Sequence, residues 1–161
     1  MDAQSYIRYL NLLPHPEGGY YKETYRSHSE QNFENFSGKR NCSTGIYFLI
    51  EKNNFSAFHK IKSDEMWHFY GGDALEVIEI TVSGELKITE IGNDIKNGQY
   101  LQYVVLAGNW FGSRVKKGGE FSLVGCTVSP GFDFTDFEMA NRKDLTKKFQ
   151  IYCQIIGELT R

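Results

Sequence analysis

From Ser43 to Val128 one pattern repeats. Short runs of alternating or β-branched apolar residues recur about every 8–12 residues, separated by glycine, asparagine or serine turns. The runs are "STGIYFLIE", "FSAFHKI", "EMWHFY", "ALEVIEIT", "ELKITEI", "QYLQYVVL" and "SRVKKGGEFSLVGCTV". No helical period long enough for a crossover helix lies between them. The spacing therefore predicts an antiparallel sandwich or barrel rather than a βαβ fold. Three neighbouring pairs read as hairpins. "FSAFHKI" meets "EMWHFY", "ALEVIEIT" meets "ELKITEI" across Ser83-Gly84, and the last run folds back at Lys117 to Gly119.

The flanks are different. Tyr6, Ile7, Leu10 and Leu13 have helical spacing over residues 3–13, with Pro14 and Pro16 as the stop. Gly18-Gly19 makes a turn before a strand over Tyr20 to Ser27, and "HSEQNFENFSGKRN" reads as a polar loop. "NRKDLTKKF" predicts a helix capped by Asn141, with Asp144 three residues on. The following "IYCQII" fits either a helix carrying Ile151, Ile155 and Leu159 on one face or a strand. No repeat, linker or low-complexity segment interrupts the 161 residues, so a single domain over 1–161 is expected.

Composition excludes several classes. Aromatics make up 15% of the chain and the net charge is -2, which argues against disorder and gives no basic face for nucleic acid. No apolar run approaches the ~20 residues that span a bilayer, and the first ten residues do not form a secretory signal. Three distant cysteines, Cys42, Cys126 and Cys153, form no disulfide framework or metal motif. A cytoplasmic protein with reduced thiols, no nucleic-acid partner and no membrane partner is expected.

Chemistry concentrates in residues 58–77, "FHKIKSDEMWHFYGGDALEV". Side chains two apart on a strand share a face. Because lysines rarely face a core, His59 and Ile61 should point inward while Phe58, Lys60 and Lys62 point outward. On the next strand Glu65, Trp67 and Phe69 form one set and Met66, His68 and Tyr70 the other; the pattern leaves open which is inner. A carboxylate beside a histidine inside a barrel marks a solvated pocket, and at a strand end it marks a surface ion pair. A metal site needs three or four ligands, for which this stretch offers His59, Glu65 and His68. His15 and His28 lie in loops and read as solvated. Cys126 reads as a small core hydrophobe, and "GFDFTDFEM" as an acidic turn whose Phe132, Phe134 and Phe137 pack on the barrel or in a dimer contact.

At this point the sequence resembles the cupin superfamily. Its first motif, G-(x)5-H-x-H-(x)3-4-E-(x)6-G, is matched by His59, Glu65 and Gly72, with Ile61 at the second histidine. Its second, G-(x)5-P-x-G-(x)2-H-(x)3-N, falls on "GQYLQYVVLAGNWFGSRV", with Leu106 at the proline, Gly108 at the glycine and Phe111 at the histidine. Two of four expected metal ligands are replaced by side chains that cannot coordinate. The stretches "HPEGGYYKETYRS", "SDEMWHFYGGDALEV", "VVLAGNWFGSRV" and "FSLVGCTVSPGFDFTDFEMANRKDL" resemble one cupin branch of uncharacterised function.

The resemblance implies an all-β, cupin-type double-stranded β-helix (a jelly-roll barrel) with short flanking helices, often a homodimer, similar to the sugar-nucleotide 3,5-epimerases. A metal-independent sugar or sugar-nucleotide epimerase then needs His59 as base, Glu65 to polarise it, and a tyrosine, Tyr70 or Tyr25, to return the proton. Lys22, Arg26 or Arg114 would hold an anionic group. Trp67 and Trp110 would stack on a ring, with His68 and Gln102 as further ligand contacts. No metal or cofactor is expected. The alternatives are a barrel that binds a small polar metabolite without turnover, or a weak metal site at His59, Glu65 and His68.

Overall fold

The computed structural model describes residues 1–161. Helix α1 (Ala3–Leu10) precedes strands β1 (Leu13–Pro14), β2 (Tyr20–Arg26), β3 (Glu30–Asn32), β4 (Lys39–Asn41), β5 (Thr44–Glu51), β6 (Phe55–Lys60), β7 (Asp64–Gly72), β8 (Leu75–Ile80), β9 (Leu86–Ile91), β10 (Gln102–Val105), β11 (Trp110–Val115), β12 (Phe121–Ser129) and β13 (Glu138–Met139). Helices α2 (Arg142–Lys148) and α3 (Cys153–Glu158) close the chain. No helix is long and apolar enough to cross a membrane.

Two antiparallel sheets face each other. One has the order β1-β2-β5-β12-β7-β10, the other β13-β6-β11-β8-β9. From β5 to β8, and again from β10 to β12, each successive strand joins the opposite sheet, which is the winding of a jelly roll. Of the three expected hairpins only β8–β9 forms, with Ile80 opposite Leu86. β6 pairs with β11 and β13, and β7 with β12 and β10. A short turn signal does not say whether the chain returns in its own sheet or crosses to the other. Here Ile61 drops into the core at the corner, and its carbonyl accepts from Gly108 N–H at 2.9 Å. That bond ties the 61–63 crossing to the 106–109 crossing.

The core has three parts. Phe48, Ile50, Ile61, Trp67, Val77, Phe111 and Val124 fill the space between the sheets. Phe58, Ile78 and Ile80 project from the other side of the five-stranded sheet and are covered by Leu145, Ile156 and Leu159 of the C-terminal segment. Helix α1 lays Tyr6, Ile7 and Leu10 over Leu49 and Leu123 on the outside of the six-stranded sheet. The rest of that outer face is uncovered.

Details of the flanks depart from expectation. Helix α1 stops at Asn11, whose left-handed φ of 53° ends it before either proline. Residues 28–41 are not a plain loop; they carry the hairpin β3–β4. Its Arg40 donates to both oxygens of Asp136, at 2.6 and 3.1 Å, and so holds the hairpin against the 132–137 segment. The "IYCQII" ambiguity resolves to helix. Asn141 caps α2 by accepting from the N–H groups of Lys143 and Asp144. Gly72, the closing glycine of the first motif, has φ 83°, and a Cβ there would lie 2.4 Å from the Phe121 carbonyl oxygen.

Candidate functional site

The parity of β6 and β7 sets the site. His59 and Ile61 point between the sheets, as expected, and are 2% and 4% exposed. On β7 the inward set is Glu65 and Trp67, while Met66 and Tyr70 stand exposed on the outside. Facing His59 and Glu65 is a cavity of about 330 Å³, also lined by His15, Glu17, Tyr21, Glu23, Arg26, Cys126 and, at one side, Phe132, Asp133 and Phe134.

The turn before β2 supplies the residues that periodicity did not reveal. His15 N–H donates to the Gly19 carbonyl and Gly18 N–H to the His15 carbonyl, each at 3.0 Å. A Cβ on Gly18 would collide with the Phe55 carbonyl, so only glycine lets this turn press against β6. The β6–β11 register shifts between its His59 and Ser56 pairings, and at this irregularity Ala57 N–H donates to the Glu17 carbonyl at 2.8 Å. The Glu17 side chain is thereby carried inside. Ser56 Oγ donates to its Oε1 at 2.9 Å, and Oε2 lies 3.2 Å from His59 Nε2 and 3.7 Å from His15 Nδ1.

Burial shifts each group toward its neutral form. Burial lowers the pKa of His59, against the attraction of Glu65 and the hydrogen bond to Ala57. Its Nδ1 lies 2.7 Å from the Ala57 carbonyl and so carries a proton, leaving Nε2 as the position that exchanges. Burial also raises the Glu17 carboxyl, opposed by His15, Ser56 and Arg161. Both shifts disfavour charge on the Glu17–His59 pair, whose Oε2 and Nε2 are close enough to share one proton. Glu65 is pushed up to about 7 by burial and by the nearby Glu17, with His59 and the Cys126 thiol pulling the other way. Burial and then Glu65 drive the Cys126 thiol well up. His15 is lowered by burial. His59 is also fixed sterically, stacked 5.1 Å from the Phe137 ring and tilted 4.2 Å from Phe111.

The other sequence candidates divide sharply. Arg26 lines the cavity, but its guanidinium already donates to Glu23 at 3.0 and 2.7 Å, to Asn41 at 2.8 Å and to the Phe132 carbonyl. Tyr70 is 53% exposed on the outer face, and Lys22, Tyr25, His68 and Gln102 are likewise not among the lining residues. His68 is bonded to Thr127 and Gln102 at 2.9 Å each, in a ladder across the outer sheet surface. Trp67 is core, and Trp110 packs under the C-terminal segment with Lys60 over its ring. Arg114 lies in a separate hollow, paired with Glu76 and Glu158 at 2.7 Å. The tyrosine that reaches the cavity is Tyr21, edge-on to His15 at 4.5 Å. His15 is a pocket residue, not a solvated loop histidine, and Cys126 faces Glu65 as well as the core. Only the "HPEGG" stretch of the family resemblance signalled the first of these.

A cupin-type metal does not fit this donor set. Ile61 and Phe111 occupy two ligand positions and are packed in the core. His68 points away, and no three histidine, cysteine or acidic side chains converge as a metal cage.

The comparisons with known proteins bear on the family and the fold. The description "Cupin superfamily (DUF985)" matches residues 4–140. The chain is 32% identical over 157 residues to an uncharacterized protein of Saccharomyces cerevisiae, covering 89% of this chain and 78% of that one. A hypothetical protein from Leishmania major superposes with a TM-score of 0.95 at 34% identity, covering 99% of both chains. A Shewanella oneidensis protein superposes at 0.91 and 37% identity, covering 100% of this chain and 98% of that one. Bacillus subtilis oxalate decarboxylase, at 13% identity and a TM-score of 0.58 over 91% of this chain and 36% of its own, shares the fold. The chain belongs to the DUF985 family of the cupin superfamily.

Proposed function

We propose that the protein transfers protons, without a metal, on a small polar metabolite held in this cavity, as an isomerase or epimerase does. The observation that supports this best is that Glu65, with its pKa at about 7, and the Glu17–His59 pair face one cavity. A carboxyl half-ionised at neutral pH both takes and gives a proton at little cost. His59 Nε2 is a second base, and an imidazolium formed there is stabilised by Glu17 and Glu65. Tyr21 is the hydroxyl available to return a proton. Substrates of this reading carry a C–H beside a carbonyl, as sugars do. The three free cysteines are in keeping with a reducing, cytoplasmic setting. A homodimer belongs to the same proposal, and the exposed Tyr25, Met66 and Tyr70 favour the outer face of the six-stranded sheet as its contact.

The test is proton exchange in D₂O. The protein is incubated with reducing sugars, sugar nucleotides and hydroxy- or amino-carbonyl metabolites, and loss of the C–H signal is followed by NMR. Deuterium wash-in that disappears in His59→Ala and Glu65→Gln is expected. Ligand binding with no wash-in for any compound overturns the enzymatic reading and leaves a binding protein.

A further inference from the structure

Charge in the cavity is lopsided. Glu17, Glu23, Glu65 and Asp133 line it, against one cation, Arg26, which is already committed to Glu23. No lysine reaches it. The cations that an anionic substrate needs lie elsewhere. Lys22 is not among the lining residues, and in the separate hollow around Arg114 the cations Arg114, Lys52 and Lys116 are already paired with Glu76, Glu158, Glu120 and Glu90. A phosphate entering here would meet carboxylates. The volume, about 330 Å³, is also at the small end of the roughly 300–1,000 Å³ of ligand pockets.

Two further features specify what does fit. Glu65 is 8% exposed and faces the cavity, yet its one hydrogen-bonding partner is the Cys126 thiol, a weak donor. A nearly buried carboxylate so poorly satisfied wants a compensating positive charge beside it. Above it the walls are aromatic. His15 stands edge-on to Tyr21, Phe134 stacks over His15 at 6.3 Å, and Phe132 meets Phe134 at 5.0 Å. Aromatic faces beside carboxylates are the surroundings in which organic cations are held.

We propose that the ligand carries an ammonium group, seated against Glu65 and Asp133 and enclosed by Tyr21, His15 and Phe134. This rests on the reading that the same cavity is the ligand site, and it replaces the sugar nucleotide with an amino-bearing metabolite. Asp133 stays ionised because the Thr135 hydroxyl and N–H both donate to it. Glu65 faces Glu17 and His15 from the turn, His59 from β6 and Cys126 from β12. Tyr21, Glu23 and Arg26 face the same cavity from β2, and Asp133 faces it from the 132–137 segment. Glu65 titrates at about 7, so affinity for a cation rises as pH passes through that value.

Calorimetry of the full chain with choline, its neutral isostere 3,3-dimethylbutanol, and UDP-glucose tests this. Choline should bind, up to ~10-fold tighter at about pH 8 than at about pH 6, while the isostere and the nucleotide do not. Glu65→Gln should remove the pH dependence and most of the affinity. Asp133→Asn, at the rim, should weaken binding without altering the melting temperature, which guards against a folding defect in the first variant. Equal binding of the isostere, binding of UDP-glucose alone, or no binding of choline at millimolar concentration overturns the proposal. Choline binding without proton exchange on any amino metabolite would sink the proton-transfer reading and spare this one. Wash-in on a neutral or anionic substrate, with no choline binding, would do the reverse.

Discussion

The two sides of β6 differ by one residue and by almost everything else. Phe58 is fully buried against Ile156 and Leu159, in a purely apolar cluster beneath the C-terminal helices. His59, next in sequence, is as deeply buried, but in company with Glu17, His15 and Glu65. Burial stabilises the first side because apolar surface leaves water there. On the second it costs free energy, and the cost appears as carboxyls shifted up and imidazoles shifted down. A barrel of this size tolerates such a cluster because the dry side carries the fold. The polar side is therefore the one shaped by something other than stability.

Four changes sharpen or break that contrast. Phe58→Ala should destabilise by about 3–5 kcal/mol, as large-to-small core changes do, while ligand binding at the cavity persists in the folded fraction; urea unfolding and calorimetry read the two effects. Glu65→Gln should do the opposite on the polar side. The Glu65 pKa rises from 4.5 to about 7 on folding. Below 4.5 the group is protonated in both states, and wild type loses stability as pH climbs from there through 7. The variant should thus be more stable than wild type by roughly 1–3 kcal/mol above neutrality, with no gain near pH 4. A variant less stable at every pH would mean that Glu65 is a structural carboxylate.

The histidines impose the reverse slope. Their folded pKa values lie below 6.5, so the unfolded chain binds more protons and stability falls as pH drops below 6.5. His59→Gln should flatten that acid limb, which a series of melting temperatures against pH would show. Smallest at the cavity is Tyr70→Ala on the outer face, expected to leave ligand binding there unchanged. A large loss of cavity binding in that variant would refute the assignment of Tyr21 as the tyrosine of the site.

Period-2 alternation made the inner face of β6 legible, because Lys60 and Lys62 exclude the other choice. The same rule paired Glu65 with Trp67 but left the side open, since Met66, His68 and Tyr70 are also partly apolar. Strand pairing was not legible. A three-residue corner looks the same whether the chain returns or crosses, and the crossing depends on Ile61 finding core on the far sheet. His15 and Glu17 have no period to betray them. They are inside because a glycine turn docks on the β6 irregularity at Ala57, a contact between residues some forty positions apart. Cys126 was legible as buried, but only the register that sets it opposite Trp67 on β7 brings it to Glu65.

The central claim is that the interior of this barrel end holds a desolvated acid–base cluster in which the Glu65 carboxyl is poised near neutrality. The most direct measurement is a ¹³C NMR titration of the glutamate side-chain carboxyls, with Glu65 assigned by its loss in Glu65→Gln. A Glu65 resonance titrating at about 7 and displaced in His59→Gln is the expected result. A Glu65 that titrates as an ordinary solvent-exposed carboxyl, near 4.5, would contradict the account.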